Sequence, residues 1–83
     1  MHTATGGYWN KYNALPQEIQ DLAKCQFGLM NIDPSHPSLH MKRVKTFWSV
    51  RINGEYRALG KDITGGIIWF WIGEHREYDR LIG

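Results

Sequence analysis

Residues 47–60 read FWSVRINGEYRALG, and the period of this stretch decides the fold. Trp48, Val50 and Ile52 alternate with Phe47, Ser49 and Arg51, so an extended chain carries an apolar face and a mixed face. Asn53-Gly54 predicts a hairpin, because both residues tolerate the positive φ of a tight primed turn. EYRALG is then the returning strand. On that pairing Arg51 and Arg57 flank the turn and emerge as neighbours, opposite the apolar set of Val50, Ile52 and Tyr56. Adjacent guanidinium groups repel each other, which costs stability unless an anion or a carboxylate lies against them. Surface ion pairs with Glu55, Glu74 or Glu77 would satisfy them in the ordinary way, and a bound anion would do so in the other.

Working outward, KDITGG (61–66) predicts a second turn and IIWFWI (67–72) a strand apolar on both faces, which belongs in the middle of a sheet. LHMKRV (39–44) reads as a further, more exposed strand, reached through the Pro- and Ser-rich loop NIDPSHPSLH (31–40). Before that loop the period is helical. Leu15, Ile19, Leu22, Leu29 and Met30 form a stripe that Ala23 and Phe27 widen. Pro16 suits the first turn, Glu18 and Asp21 complement the helix dipole, and Asp33-Pro34 ends the helix. Tyr8 to Asn13 predicts a short preceding helix, and Met1 to Gly7 a poorly ordered end or a short edge strand. The expected architecture is α+β: an N-terminal helix or helical hairpin on a three- to four-stranded antiparallel sheet, closed by a short C-terminal turn or helix.

The 83 residues, 42% hydrophobic and 13% aromatic, suit one domain over 1–83 whose aromatic side chains build the core. Cys25 is the one cysteine and has no internal partner; its place in the helical pattern predicts buried packing. That cysteine usage, with no apolar stretch of membrane length, points to a soluble cytoplasmic protein without a membrane partner. The net charge of +2 is unevenly spread. Residues 36–61 hold Lys42, Arg43, Lys45, Arg51, Arg57 and Lys61 against Glu55, a local +5, while the remaining four basic and seven acidic residues give −3. Such a patch attracts phosphates or an acidic segment, or is simply solvated.

Among chemical motifs, His36 and His40 have the spacing of zinc ligands on one helical turn, but Pro37 between them opposes a regular helix. There is no Gly-rich phosphate loop, nucleophile elbow or paired-carboxylate signature. The closing segment IGEHREYDRLIG (72–83) is different. If it turns helical after Gly73, His75 and Tyr78 share a face and Leu81 and Ile82 tuck back onto the sheet. A histidine, a tyrosine and arginines are what cleavage of an RNA phosphodiester needs: a base for the 2′-hydroxyl, an acid for the leaving 5′-oxygen and fixed cations for the phosphate. Such chemistry requires no metal. The bland alternative has Tyr78 packed and His75 capping a strand end.

The order NALPQEIQDLAKCQFGLMNIDPSHPSLHMKRV, WSVRINGEYRAL and WFWIGEHREYDRLI resembles the RelE/ParE superfamily of toxins from prokaryotic type II toxin–antitoxin systems, over about Trp9 to Ile82. The LP at the long helix, the YRAL strand and the IGEH ending carry it. The resemblance implies helices on one sheet face and a concave basic face on the other. It implies a cofactor-independent mRNA endoribonuclease that works in the ribosomal A site, held in check by a cognate antitoxin. By motif position Arg57 would meet the scissile phosphate, Arg51 would match a basic residue on the preceding strand, His75 would be the terminal base or acid and Tyr78 would assist or replace it. Lys42, Arg43 and Lys45 would hold RNA through its backbone. The glutamate base of some members has no motif-matched counterpart, Glu55 lying beside the turn. The ParE branch, whose target is DNA gyrase, shares the fold without the histidine chemistry, which leaves a non-nucleolytic gyrase inhibitor or a binding-only remnant as the alternative.

Overall fold

The computed structural model describes residues 2–83. Strand β1 (His2–Ala4) leads into a helical hairpin, α1 (Gly6–Asn13) and α2 (Gln17–Ile32), and a short 3₁₀ turn (Pro37–Leu39) precedes β2 (Lys42–Val44), β3 (Phe47–Arg51), β4 (Tyr56–Ile63), β5 (Gly66–Glu74) and α3 (His75–Ile82). The strands form one sheet in the order β1-β5-β4-β3-β2. The sheet thus has five strands rather than three or four, and it is mixed: β1 runs parallel to β5, with Thr3 beside Ile68. Met1 lies outside the described residues; the rest of the N-terminal stretch supplies the edge strand and the start of α1. Thr5 then caps α1, its Oγ1 accepting from the Tyr8 amide at 3.1 Å.

The apolar face expected for β3 packs as read. Val50, Ala58 and Ile72 lie side by side across β3, β4 and β5 and are fully buried under the helices, with Tyr8, Tyr12, Ile19, Ala23, Met30 and Trp69. Leu22, placed in the helical stripe by its spacing, instead points outward and is 41% exposed, because the sheet contacts run along Ile19, Ala23 and Met30. Cys25 also lies on the outer side and is exposed, which corrects the expectation of buried packing. Among the described residues no helix is long and apolar enough to cross a membrane.

Two turns differ from the sequence reading. Neither Asn53 nor Gly54 takes a positive φ; such residues are His40, Lys45 and Gly65. The Asn53 side chain replaces the primed turn, its Oδ1 accepting from the amides of Glu55 at 2.9 Å and Tyr56 at 3.0 Å, so a side-chain carbonyl closes a wider loop. The second turn lies within the expected 61–66 but is shorter, because β4 runs on through Ile63; Gly65, at φ +82, supplies its left-handed residue.

The β4–β5 ladder slips at Leu59/Gly60, where Leu59 pairs with Trp71 and Gly60 with Trp69. Phe70 is the extra residue of a bulge. Its consequence explains the two-sided apolar strand: Trp69 and Ile72 face the hairpin, whereas Phe70 and Trp71 both join the second cluster, with Leu59 and Tyr78. Gly60 is required here, since a Cβ would lie 2.7 Å from Ile67 and 2.8 Å from the Trp69 ring. Gly60→Ala should therefore destabilise the protein by about 1–3 kcal/mol, the usual range for overpacking, as read by urea denaturation.

Beside this strand Trp48 Nε1 donates to Asp62 at 2.9 Å, and Arg43 bridges to Asp62 at 2.8 Å while lying over the Trp48 ring. The Trp48 hydrogen bond first, then the arginine, hold the Asp62 carboxyl below its ordinary value. A depressed carboxylate stabilises the fold above the unfolded value of about 3.9 and loses that contribution as pH falls through the folded one. Asp62→Asn should lower stability at neutral pH and flatten its decline below about pH 4, measured by thermal melts across pH.

Candidate functional site

The second sheet face holds the polar side chains. Residues directly opposite on paired strands share a face, so two rows follow from the register: Lys42, Ser49, Leu59 and Trp71, then Arg51, Arg57 and Gly73. The arginines flanking the turn are thus cross-strand neighbours, as their alternation predicted. The expected ion pairs with Glu55, Glu74 or Glu77 are not formed; the ion pairs of the described residues are Arg43–Asp62 and His75–Asp79. Arg57 is half-buried and held by its own turn, Nη1 donating to the carbonyls of Asn53 and of Tyr56, the latter at 3.0 Å. Burial first, then the Arg51 charge, pull the Arg57 guanidinium below its ordinary value, against the opposing influence of Tyr78 and Asp79.

Helix α3 closes over this face. Its start is tied to the turn by the His75 amide, which donates to the Glu55 carbonyl at 2.6 Å. Tyr78 is the anchor: 3% exposed, it packs on Trp71 and Leu59, and its hydroxyl donates to Ser49 Oγ at 2.8 Å. Ile82 packs against the same cluster, whereas Leu81, expected to tuck in beside it, points to solvent at 51% exposure. With its ring buried and its hydroxyl engaged, Tyr78 serves here to fix the helix. That outcome follows from Ser49, a buried polar residue that nothing in the local sequence marked.

His75 stands one turn from Tyr78, with ring centroids 5.7 Å apart, and its Nδ1 lies 3.0 Å from Asp79 Oδ2. The carboxylate fixes the ring and leaves Nε2 as the second proton-bearing or accepting position. With 45% of its side chain exposed, the imidazole is not buried among aliphatic groups. An open cleft of about 380 Å³ lies beside it, between Gly54-Glu55 and Glu74-Arg76.

The basic trio divides. Lys42 pairs with Ser49 and shares the arginine face; Arg43 pairs with Trp48, on the face of the hairpin, and is occupied by Asp62; Lys45 sits in the β2–β3 turn at φ 54. Alternation puts Lys61 on the arginine face too, two residues beyond Leu59. His36 and His40 do not converge: His36 Nδ1 meets Ser38, while His40 Nε2 meets the Arg51 guanidinium at 3.3 Å. The spacing had suggested only a metal pair, and the described residues contain no cluster of three or more metal-binding side chains. On the far face, Tyr8, Trp9, Tyr12, Phe27 and Trp69 line an apolar groove of about 280 Å³, with Lys24 at its edge.

A basic sheet face, half closed by a helix bearing a carboxylate-held histidine and opposite a helical hairpin, makes this a small α+β domain. The model of the ParE-like toxin domain family matches residues 17–80, and the chain belongs to that family, within the RelE/ParE superfamily. Similar folds include the RelB–RelE antitoxin–toxin complex of Methanococcus jannaschii, 14% identical with a TM-score of 0.75 over 98% of this chain and 99% of that one. A YoeB/ParE toxin of Agrobacterium tumefaciens is 16% identical with a TM-score of 0.69 over 89% and 96%. A copper-bound mutant toxin of Helicobacter pylori is 14% identical with a TM-score of 0.65 over 92% and 94%. No curated protein matches the chain in sequence.

Two measurements check this geometry. Tyr78→Phe should cost about 1–2 kcal/mol by leaving Ser49 without its donor, and Ser49→Ala in the same chain should recover part of that loss, a double-mutant cycle read by denaturation. Arg51→Gln should stabilise the unliganded protein by about 0.5 kcal/mol at low ionic strength by removing one like charge, with the gain shrinking in 1 M salt.

Proposed function

We propose that the protein is the toxin of a type II toxin–antitoxin system and acts as a ribosome-dependent endoribonuclease on mRNA. The observation that carries this reading is the Arg51–Arg57 pair, side by side across two strands and without a carboxylate ion pair among the described residues, on the sheet face that the helix bearing the Asp79-held His75 closes over. Two adjacent cations favour a phosphodiester whose charge grows in the transition state, and preorganised donors need no reorganisation as it does. His75 moves a proton at one of the two reacting oxygens. Lys42 and Lys61, on the same face, contribute to RNA-backbone attraction; Arg43, occupied by Asp62, contributes less. The mRNA and the ribosome are the partners, and the reaction belongs to the cytoplasm.

The second proposed partner is a cognate antitoxin. The RelB–RelE complex among the similar structures supports it, as does the aromatic groove, where Trp9 is 49% exposed and Lys24 offers a positive charge at the edge of an apolar trough. An amphipathic, acidic segment suits both features.

The ParE-like family match favours a second reading, a non-nucleolytic toxin that occupies DNA gyrase. The two diverge on induction in a bacterial host. A nuclease produces new mRNA 5′ ends at translated codons, whereas a gyrase inhibitor changes DNA supercoiling and leaves mRNA intact. His75→Ala and Arg57→Ala are expected to relieve growth arrest and to lower cleavage at least about 10²-fold, in the range of a lost acid–base group or charge stabiliser. Full toxicity in both variants would rule out these assignments.

A further inference from the structure

The arginine row continues at both ends. Carried past Lys42↔Ser49, the β2–β3 register sets residue 40 opposite Arg51, and the contact at 3.3 Å between His40 Nε2 and Arg51 Nη1 is the physical counterpart of that position. At the other end Arg57 pairs with Gly73, and the chain turns at Glu74 into His75. The order across the face is therefore His40, Arg51, Arg57, Gly73, and His75 follows at the start of α3, its amide bonded to the Glu55 carbonyl. His40 stands against the Arg51 side of the guanidinium pair, and His75 opens the helix that follows the strand paired with Arg57.

They differ in what their partners allow. A guanidinium only donates, so the His40 Nε2 facing Arg51 presents a lone pair, and the ring carries its proton on Nδ1. His75 Nδ1 faces a carboxylate, which only accepts when ionised, so that nitrogen carries a proton and Nε2 remains available to bear another. His40 also holds a left-handed backbone, φ 44 and ψ 38, a region in which His, like Asn and Asp, is enriched among non-glycine residues. Its ring is exposed on the arginine face and has no packing role in the core.

We propose that His40 is the general base of the RNA cleavage described above, and His75 its general acid. This assignment rests on the nuclease reading. When a phosphodiester enters, the Arg51 guanidinium turns to the phosphate oxygens and releases His40 Nε2. That nitrogen takes the proton of the 2′-hydroxyl; the 2′-oxygen bonds to phosphorus; the bond from phosphorus to the 5′-oxygen breaks; and His75 Nε2 delivers its proton to the departing oxygen. The products are a 2′,3′-cyclic phosphate and a 5′-hydroxyl, with no water or co-reactant consumed. An in-line displacement needs its attacking and leaving oxygens on opposite sides of phosphorus, so this mechanism requires His40 and His75 to reach the phosphate from opposite sides.

The test is single-turnover cleavage on ribosomes programmed with one mRNA, made with either oxygen or sulfur at the bridging 5′ position of the scissile linkage. Sulfur leaves without protonation, so it restores the rate of a variant lacking the acid but not of one lacking the base. His40→Asn keeps a residue that tolerates the left-handed backbone, and its thermal midpoint should stay at or above that of the unsubstituted protein. His40→Asn is expected to lose about 10²–10⁴-fold on both mRNAs, and His75→Ala to lose comparably on the oxygen mRNA and to recover on the sulfur one. Cleavage by His40→Asn at the unsubstituted rate, or its recovery with sulfur, overturns the assignment while leaving the nuclease intact. Failure of the unsubstituted protein to cleave either mRNA overturns both together.

Discussion

The site depends on one buried hydrogen bond, from the Tyr78 hydroxyl to Ser49 Oγ. A helix of eight residues has too few internal hydrogen bonds to persist alone in water, and most of its stability must come from what it packs against. Tyr78 provides that contact, sinking its ring onto Trp71 and Leu59. Its hydroxyl can be buried only because Ser49 accepts from it. Once Tyr78 is seated, His75 is held at the start of α3 against the Glu55 turn, and Asp79, one turn on, fixes the ring and biases Arg57.

The bulge at Phe70 is the other condition. A regular β5 would send Phe70 and Trp71 to opposite faces; the extra residue brings both to the α3 side, where Phe70 meets Phe47 and Trp71 meets Tyr78. The sheet can therefore be buried on two sides, yet only partly on the second. Gly73 shares its row with the arginines, and its missing side chain makes room for the Trp71 ring, which a Cβ would meet at 2.6 Å. The apolar cover stops at that row, and beyond it the guanidiniums are half-exposed. Like charges held side by side at the edge of a low-dielectric floor repel in the unliganded protein, and that repulsion is relieved by an anion.

Much of the fold was legible because it follows from periods. The alternation in FWSVRI named the buried set of Val50 and Ile52, the double-sided run IIWFWI named a strand with neighbours on each side, and the Leu15–Met30 pattern gave the long helix. The first strand was less visible, since three residues ending at Ala4 carry no alternation, and its parallel pairing depends on β5 arriving from the far end of the chain. Leu22 and Cys25 were misplaced for a related reason: a helical stripe gives the apolar side only approximately, and the sheet selects which residues it covers.

For the site, the sequence by itself determined the adjacency of Arg51 and Arg57, because hairpin pairing is local and the strand period is two. It also placed His75 and Tyr78 on one helical turn. Only the tertiary structure decided which face Arg43 takes, that Tyr78 is an anchor bonded to Ser49, and that His40 stands against Arg51 rather than beside His36. These contacts join residues far apart in the chain or separated by irregular loops. No period reaches across such gaps, and the partners are chosen by the packing of the sheet and α3 as a whole.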